Sequence, residues 1–288
     1  MLVLRAPAKL NLTLEILTRR DDGFHALRSV MVPLGLYDEI QLEPAESSTF
    51  GVDDATLAED NLVVRALAAV AAPPHRVRLR KAIPTQAGLG GGSSDAAAIV
   101  RAAAAGDLGA VPPCDWLATA RSLGSDVPFF LTGTGALVEG TGERVTALGT
   151  LPAWWALVVQ PAVAVSTADA YRLLDAARAV EPMATRTRNE SVSIALLEAV
   201  QRGSFEQTWQ LAQNDFHALI LARYPEIEHA QAALLAAGAR KALLSGSGSA
   251  VFALFETQAD AEAVAARVER AAVGHTFLAP LAGDGTWR

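Results

Sequence analysis

The stretch from Ile83 to Ala98 constrains this chain more than any other: Ile-Pro-Thr-Gln-Ala-Gly-Leu-Gly-Gly-Gly-Ser-Ser-Asp-Ala-Ala-Ala. Gly88, Gly90, Gly91 and Gly92 crowd a segment that leads into an alanine-rich run, which predicts a loop feeding a helix. Glycine accepts positive φ and lets the backbone approach a ligand with no Cβ in the way. Ser93, Ser94 and Asp95 are N-cap residue types, so the helix is expected to begin here, with unpaired N–H groups and its positive dipole end facing the loop. Glycines delivered to a helix N-terminus make a phosphate cradle. The plainer alternative is a flexible turn ahead of a surface helix.

Elimination narrows the type of cradle. A Walker A loop requires Gly-Lys-Ser/Thr, whereas Gly92 runs straight into Ser93. A dinucleotide or protein-kinase G-x-G-x-x-G would use Gly88 and Gly90 but finds Ser93 at its third glycine. What remains, from Pro84 through Ala87, Gly88, Leu89, Gly90, Gly91, Gly92, Ser93 and Ser94 to Asp95-Ala96-Ala97, resembles the ATP loop of the GHMP kinases. The resemblance implies an ATP-dependent phosphotransferase with those residues from Pro84 and Ala87 to Ser94 around the nucleotide. It also implies Mg²⁺, for which Ser93 or Ser94 is a candidate ligand, since no acidic metal ligand stands out.

Composition sets the bounds. The chain has 288 residues, 51% apolar and 19% charged, enough for a full core in one large or two modest domains. No apolar run approaches the ~20 residues of a membrane span. Residues 1–5 lack the basic start and longer apolar stretch of a signal peptide, so export is not expected. The single cysteine, Cys114, rules out an internal disulfide and a cysteine-based zinc cluster, and fits a reducing cytoplasm. A net charge of −7 argues against nucleic acid or an anionic membrane as partner. A polyanionic ligand therefore needs a local source of positive potential. Nothing in the sequence sets an oligomeric state.

In chain order, Ala8 to Leu17 alternates, with Leu10, Leu12, Leu14 and Ile16 on one face and Lys9, Asn11, Thr13 and Glu15 on the other. This predicts a half-buried strand. Arg19 to Gly23 reads as a turn. Leu36 to Glu43 is expected to be a strand with Ile40 and Leu42 inward and Asp38 exposed. Asn61 to Ala72 reads as a helix, and His75 to Lys81 as a strand whose outer face carries Arg76, Arg78 and Arg80, most simply a solvated edge strand. Helices follow from Ser94 to about Ala105 and from about Asp115 to Leu123, then a short strand at 136–138 and a buried one over Trp154 to Gln160. A domain boundary is placed there, giving residues 1–160 and 161–288. Beyond it a helix runs from Ser166 or Thr167 to about Ala179, a polar stretch begins at Arg186 to Asn189, and a helix spans Pro225 to Ala237. Two strands flank Ser245-Gly246-Ser247-Gly248-Ser249, and a helix at 258–272 and a strand near 276–278 close the chain.

Further motifs bear on the family resemblance. Pro7-Ala8-Lys9-Leu10-Asn11 is similar to the first GHMP motif, and Ser245 to Ser249 to the third, whose glycines close on the ATP loop. Asp22-Gly23-Phe24-His25-Ala26-Leu27, Gly124-Ser125-Asp126-Val127-Pro128-Phe129-Phe130 and the Pro161–Ala168 segment resemble the branch whose acceptor is 4-diphosphocytidyl-2-C-methyl-D-erythritol. That resemblance implies an α+β, two-domain GHMP-kinase fold, with an N-terminal domain like ribosomal protein S5 domain 2, a ferredoxin-like C-terminal domain and the site in the cleft. It implies Asp126 as catalytic base beside Lys9. Asn11, Phe24, His25, Ser166 and Thr167 would bind the small-molecule acceptor. Hydrophobic neighbours of Asp126 would exclude water and raise its pKa, with a nearby lysine opposing. Two departures stand out. Phe24 replaces the usual Tyr, which preserves a stacking face but removes a hydroxyl. His217 follows Asn214-Asp215 where the branch usually has Glu, leaving its role in site or packing open. A homoserine- or mevalonate-type kinase would carry the three general motifs without the branch-specific ones. A non-catalytic nucleotide-binding module would need neither Lys9 nor Asp126.

Overall fold

The computed structural model describes residues 1–21, 23–53, 61–180 and 191–283. Its organising strand is β3 (His25–Pro44), long enough to pair along its length with several partners. β1 (Leu2–Asn11) and β2 (Thr13–Arg19) both run antiparallel to it, β1 against residues 31–42 and β2 against 25–28. The predicted strand from Ala8 to Leu17 is thus two strands broken at Leu12. β4 (Thr49–Val52) and β5 (His75–Arg80) extend the sheet beyond β3. β6 (Gly135–Gly140) and β7 (Arg144–Gly149) extend it from residues 27–31 of β3. β5 lies between β3 and β4, so it is an interior strand and not the expected edge. Arg76, Arg78 and Arg80 nevertheless point to solvent, because one face of this part of the sheet is uncovered.

Helices α1 (Leu62–Ala69), α2 (Gly91–Ala105) and α3 (Trp116–Leu123) cover the other face, with α2 against β1. The alanine content explains how closely it can pack. Ala96, Ala97, Ala98, Ala102 and Ala103 on α2 and Ala6 and Ala8 on β1 are all buried. Small side chains on both surfaces bring helix and sheet together at interior packing density. Asn61 and Asp115 cap α1 and α3 with their side chains, and Gly106 ends α2 in the left-handed region at φ +82°.

The start of α2 departs from the sequence expectation. The helix begins at Gly91, with Gly90 as its N-cap at φ +73° and no side-chain cap. Ser93, Ser94 and Asp95 therefore lie inside its first turns, and Gly90 O accepts from Ser94 N at 2.9 Å. A residue with a Cβ at position 90 would meet Lys9 and the Phe130 ring at 3.0–3.2 Å, so glycine is required there by contact as well as by φ.

The second sheet is antiparallel, in the order β10 (Leu243–Leu244), β11 (Val251–Phe255), β8 (Trp155–Gln160), β12 (His275–Pro280). Residues 155–160, expected at the end of the first domain, thus hydrogen-bond within the second sheet. Helices α8 (Pro225–Ala236) and α9 (Gln258–Ala271) pack on that sheet. α4 (Thr167–Val180), α5 (Val192–Gln201), α6 (Phe205–Leu211) and α7 (His217–Arg223) fill the space toward the first sheet. The polar stretch at Arg186 to Asn189 lies outside the described residues. Backbone pairing joins the halves at several places. β9 (Gln213–Asn214) runs parallel to β2, and Leu281 bridges Leu34 beside Ala282 N donating to Pro33 O.

Asp38 overturns another expectation. It is 0% exposed, and its Oδ1 accepts from Ala82 N at 2.7 Å and Ile83 N at 2.8 Å. Its Oδ2 binds Lys81, whose ammonium also donates to Asp95 Oδ2 at 2.7 Å. Two buried carboxylates thus share one cation just before the glycine loop. Burial, opposed by Lys81 and reinforced by the Asp38 charge, pushes the Asp95 carboxyl up to about 7. Strand alternation could not reveal this, because it reports which face is apolar and not which polar group finds a partner. Removing Asp38 leaves Lys81 with Asp95 alone and takes the acceptor from the N–H groups of Ala82 and Ile83, at a cost of about 3 kcal/mol for the two unpaired donors. Asp38→Ala is expected to lose that much stability in urea unfolding followed by circular dichroism. A shift under 1 kcal/mol would show that the cluster does not hold the segment.

Candidate active site

Between the two sheets lies a cleft of about 1460 Å³. Its floor is the glycine loop, tied on both sides by backbone hydrogen bonds. Lys9 N donates to Leu89 O at 2.9 Å, and Ala250 N donates to Ala87 O at 3.1 Å. Ser245 Oγ donates to Gly88 O at 3.0 Å. The third glycine motif therefore does close on the first. Asn214 holds it from behind, donating to Leu244 O and Gly246 O at 2.8 Å each. Thr167 Oγ1 and Ser247 Oγ, 3.0 Å apart, link the start of α4 to the same loop.

Of the sequence-predicted residues, Lys9, Asn11, Phe24, His25, Pro84, Ala87, Gly88, Leu89, Gly90, Gly91, Gly92, Ser93, Asp126, Ser166 and Thr167 all line this cleft. Ser94 does not. It is 0% exposed and its Oγ has no hydrogen-bond partner among the described residues, which places it inside the helix–sheet packing and away from a metal in the cleft. Ser93 is the serine that reaches the cleft, one position earlier on the helix.

Lys9 on β1 and Asp126 in the turn after α3 come together, Nζ to Oδ2 at 3.8 Å. Lys9 is 4% exposed, and burial draws its pKa below the ordinary lysine value while the Asp126 charge opposes the shift. Nζ also donates to Asn11 Oδ1 at 2.5 Å, and Asn11 Nδ2 donates to Ser29 Oγ at 2.8 Å. The face of β1 expected to be half-solvated is thus a buried polar row. On β2, Glu15 accepts from Ser191 and Ser193 at the start of α5. Asp126 sits in the turn between α3 and the short 3₁₀ helix Phe129–Leu131. The phenylalanines beside it face the core, with Phe130 under Gly90, and leave the carboxylate 36% exposed. They support the turn instead of covering the carboxylate.

Phe24 projects from the β2–β3 hairpin, 67% exposed, while His25 beside it is buried. His25 stacks on Tyr171 with centroids 5.1 Å apart, and Tyr171 meets Phe216 edge-on at 5.0 Å. Burial, with the Asp126 charge adding to it, pushes the Tyr171 phenol up to about 12. Sequence reasoning missed Tyr171, Asp175 and Asn214. The signal for the first two was helical spacing, since Thr167, Tyr171 and Asp175 recur at every fourth position of α4. His217 accepts from Leu244 N at 3.2 Å and meets the Gln231 amide at 2.9 Å, so it braces α7 against α8 and β10. Burial and the Lys241 charge hold its pKa down. It belongs to packing and does not line the cleft.

No group of three His, Cys, Asp or Glu among the described residues could hold a metal ion by side chains alone. Mg²⁺ in phosphotransfer sites keeps several waters and is held largely by substrate phosphates. The Ser93 hydroxyl and the Asp126 carboxylate both line the cleft and are oxygen donors of the type that such an ion takes.

Residues 61–134 match the family model of the GHMP kinases N terminal domain, and residues 196–274 that of the GHMP kinases C terminal. The 4-diphosphocytidyl-2-C-methyl-D-erythritol kinase of Deinococcus radiodurans is 40% identical, the match covering 93% of this chain and 89% of the relative. The Geobacter sulfurreducens protein of the same name is 38% identical over 94% and 95%. A crystal structure of 4-(cytidine 5'-diphospho)-2C-methyl-D-erythritol kinase superposes with a TM-score of 0.78 at 36% identity, covering 98% of this chain and 100% of the other. Homoserine kinase from Cytophaga hutchinsonii, at 20% identity and a TM-score of 0.73 over 98% and 95%, shares the fold.

A Cβ on Gly88, which sits at φ +75°, would lie 2.0 Å from Ser245 O, whereas one on Gly92 meets only Leu62 Cδ1 at 3.3 Å. Gly88→Ala is expected to abolish nucleotide binding in calorimetry and Gly92→Ala to retain it. Equal binding by both variants would show that the contact between the two loops does not shape the cradle.

Proposed function

This chain belongs to the GHMP kinases, and from that premise we propose that it transfers the γ-phosphate of ATP to the 2-hydroxyl of 4-diphosphocytidyl-2-C-methyl-D-erythritol, in non-mevalonate isoprenoid synthesis. One observation carries the reading. A single cleft joins a phosphate cradle, a Lys9–Asp126 pair and an aromatic wall of Phe24, His25 and Tyr171. The names of the relatives supply the acceptor that fits such a wall.

Phosphoryl transfer depends on positioning and charge stabilisation more than on covalent chemistry. The loop from Gly88 to Ser93 and the N-terminus of α2 would hold the nucleotide phosphates, with Pro84 and Ala87 shaping its approach. Mg²⁺, when bound with the nucleotide, neutralises phosphate charge, and the Ser93 hydroxyl is the cleft residue that would help to hold it. Asp126 would orient the acceptor hydroxyl and take its proton late in transfer, because a carboxylate is a weak base toward an alcohol. Lys9, in a low-dielectric setting, would stabilise the transferring phosphoryl group. Asn11 fixes the lysine, and Ser166 and Thr167 would border the acceptor's diphosphate and polyol. Phe24 would stack on the cytosine and His25 recognise its edge. No helix of the described residues is long and apolar enough to cross a membrane. Cytoplasmic action, with a small-molecule partner and no nucleic acid, goes with ATP as donor and with the net charge of −7.

The test is ADP release by purified protein with Mg-ATP and either the cytidylyl acceptor, homoserine or mevalonate. Turnover is expected with the cytidylyl acceptor alone. Turnover with another acceptor would keep the kinase and discard the acceptor. Nucleotide binding without turnover would favour a non-catalytic module. In the same assay Asp126→Asn is expected to lower kcat by roughly 10²-fold or more with ATP affinity nearly unchanged. Near-normal turnover would remove Asp126 from the base's role.

A further inference from the structure

The imidazole of His25 is held from two sides. Its Nε2 lies 2.8 Å from Asp175 Oδ1, and its ring stacks on Tyr171 at an interplanar angle of 20°. The His25 side chain is 6% exposed and that of Asp175 41%, so the ring is fixed while the carboxylate reaches it from the cleft side of α4. Tyr171 and Asp175 stand one helical turn apart, so a single helix face supplies both the stacking plane and the carboxylate.

The neighbouring Arg178 is committed elsewhere, donating to Ile16 O at 2.7 Å and Leu17 O at 3.2 Å, with Asp215 Oδ2 3.6 Å away. Asp175 is thus left to the histidine. Nothing in the chemistry of phosphoryl transfer requires this contact.

A neutral imidazole donates from one nitrogen and accepts at the other, and the bond made by one nitrogen decides the role of the second. A carboxylate only accepts, so the nitrogen facing Asp175 must carry a proton. Nδ1, which has no hydrogen-bond partner among the described residues, is then left with a lone pair.

We propose that Asp175 is a positioning residue for base specificity: it holds His25 as the Nε2–H tautomer, so that Nδ1 accepts from an exocyclic amine. Cytosine offers an amino donor at its 4-position, where a uracil-type base offers a carbonyl acceptor. An acceptor facing an acceptor leaves both unpaired, and sites built to hydrogen-bond one partner reject the analogue that cannot reply. The inference rests on the cytidylyl-acceptor reading given above and adds to it the means by which the wrong pyrimidine is refused.

Asp175→Asn tests it. The amide keeps the shape but can donate to Nε2, which stabilises the other tautomer; the same substitution beside a catalytic histidine in serine proteases has that effect. Nitrogen-15 NMR of histidine-labelled protein reads the tautomer directly, with the His25 signals assigned by His25→Gln. The wild type is expected to show a protonated Nε2 and an unprotonated Nδ1, and Asp175→Asn the reverse. In steady-state kinetics the variant's KM for the cytidylyl acceptor is expected to rise roughly tenfold, the loss of one hydrogen bond, with kcat and the KM for ATP unchanged. Its preference for the cytidylyl over the uridylyl form of the acceptor should fall by a similar factor.

An unchanged tautomer or an unchanged base preference in Asp175→Asn overturns the inference and leaves the kinase reading standing. A doubly protonated His25 in the wild type overturns it as well. So does a joint loss of kcat and ATP affinity, which would mark Asp175 as a structural support of the cleft. Absence of turnover by the wild type with the cytidylyl acceptor overturns both.

Discussion

The contact between two glycine loops, far apart in sequence, is what the rest of the site depends on. Ser245 approaches Gly88 so closely that a methyl group on Gly88 would fall 2.0 Å from the Ser245 carbonyl oxygen. Ala87 and Leu89, on either side of Gly88, give their carbonyls to Ala250 and Lys9. The loop is therefore held at its own backbone carbonyls by two segments, β1 and the loop over residues 245–250. Side chains contribute little, and that explains the demand for glycine better than flexibility does. A pinned loop leaves its remaining N–H groups oriented before a ligand arrives, which lowers the ordering cost of binding. The halves of the molecule meet at this loop, so the cradle exists only when both have folded.

The same wall of the cleft carries groups that are costly to bury. Lys9 is almost fully enclosed and has one carboxylate nearby, at 3.8 Å, with Asn11 as its direct hydrogen-bond partner. An isolated buried ammonium would lose several kcal/mol of hydration. Asn11, itself held by Ser29, and Asp126 offset part of that loss. What remains is a cation whose field is poorly screened, well suited to a phosphoryl group that gathers negative charge. The Asp38–Lys81–Asp95 cluster stands in contrast. There every charge has a partner within hydrogen-bond reach, and the backbone N–H groups of Ala82 and Ile83 complete the shell of Asp38. One cluster fixes the chain entering the loop, and the other remains open toward a ligand.

How much of this the sequence disclosed follows from what sequence patterns measure. Alternation placed His75 to Arg80 in a strand, and Asp115 and Gly106 marked helix ends, because those signals arise from local backbone chemistry. The motifs picked out residues that line one cavity, among them Lys9, Asp126, Phe24 and His25. Asp38 was misread because its partners arrive from residues 81–83 and 95, and no pattern along β3 signals a contact across that separation. Ser94 was misassigned because a glycine, Gly90, starts the helix and turns Ser94 inward. Residues 155–160 joined the second sheet because their partners, β11 and β12, lie about 90 residues or more downstream. Two of these misses concern long-range pairing, which sequence periodicity does not encode, and the Ser94 miss concerns where a helix starts.

The negative net charge remains to be reconciled with a polyanionic ligand. The arginines of β5 point to solvent, where salt screens them within about 8–10 Å. The cleft instead uses Lys9, desolvated, and the N-terminus of α2, whose cap, Gly90, has no side chain to occupy its first N–H groups. A serine or aspartate cap would have satisfied one of those donors and, in the case of aspartate, repelled a phosphate. The acidic surplus elsewhere costs the site little, because attraction at contact distance in a low-dielectric wall outweighs screened repulsion from a distant surface. A favourable field within a few ångströms is all that a ligand already seated in the cradle requires.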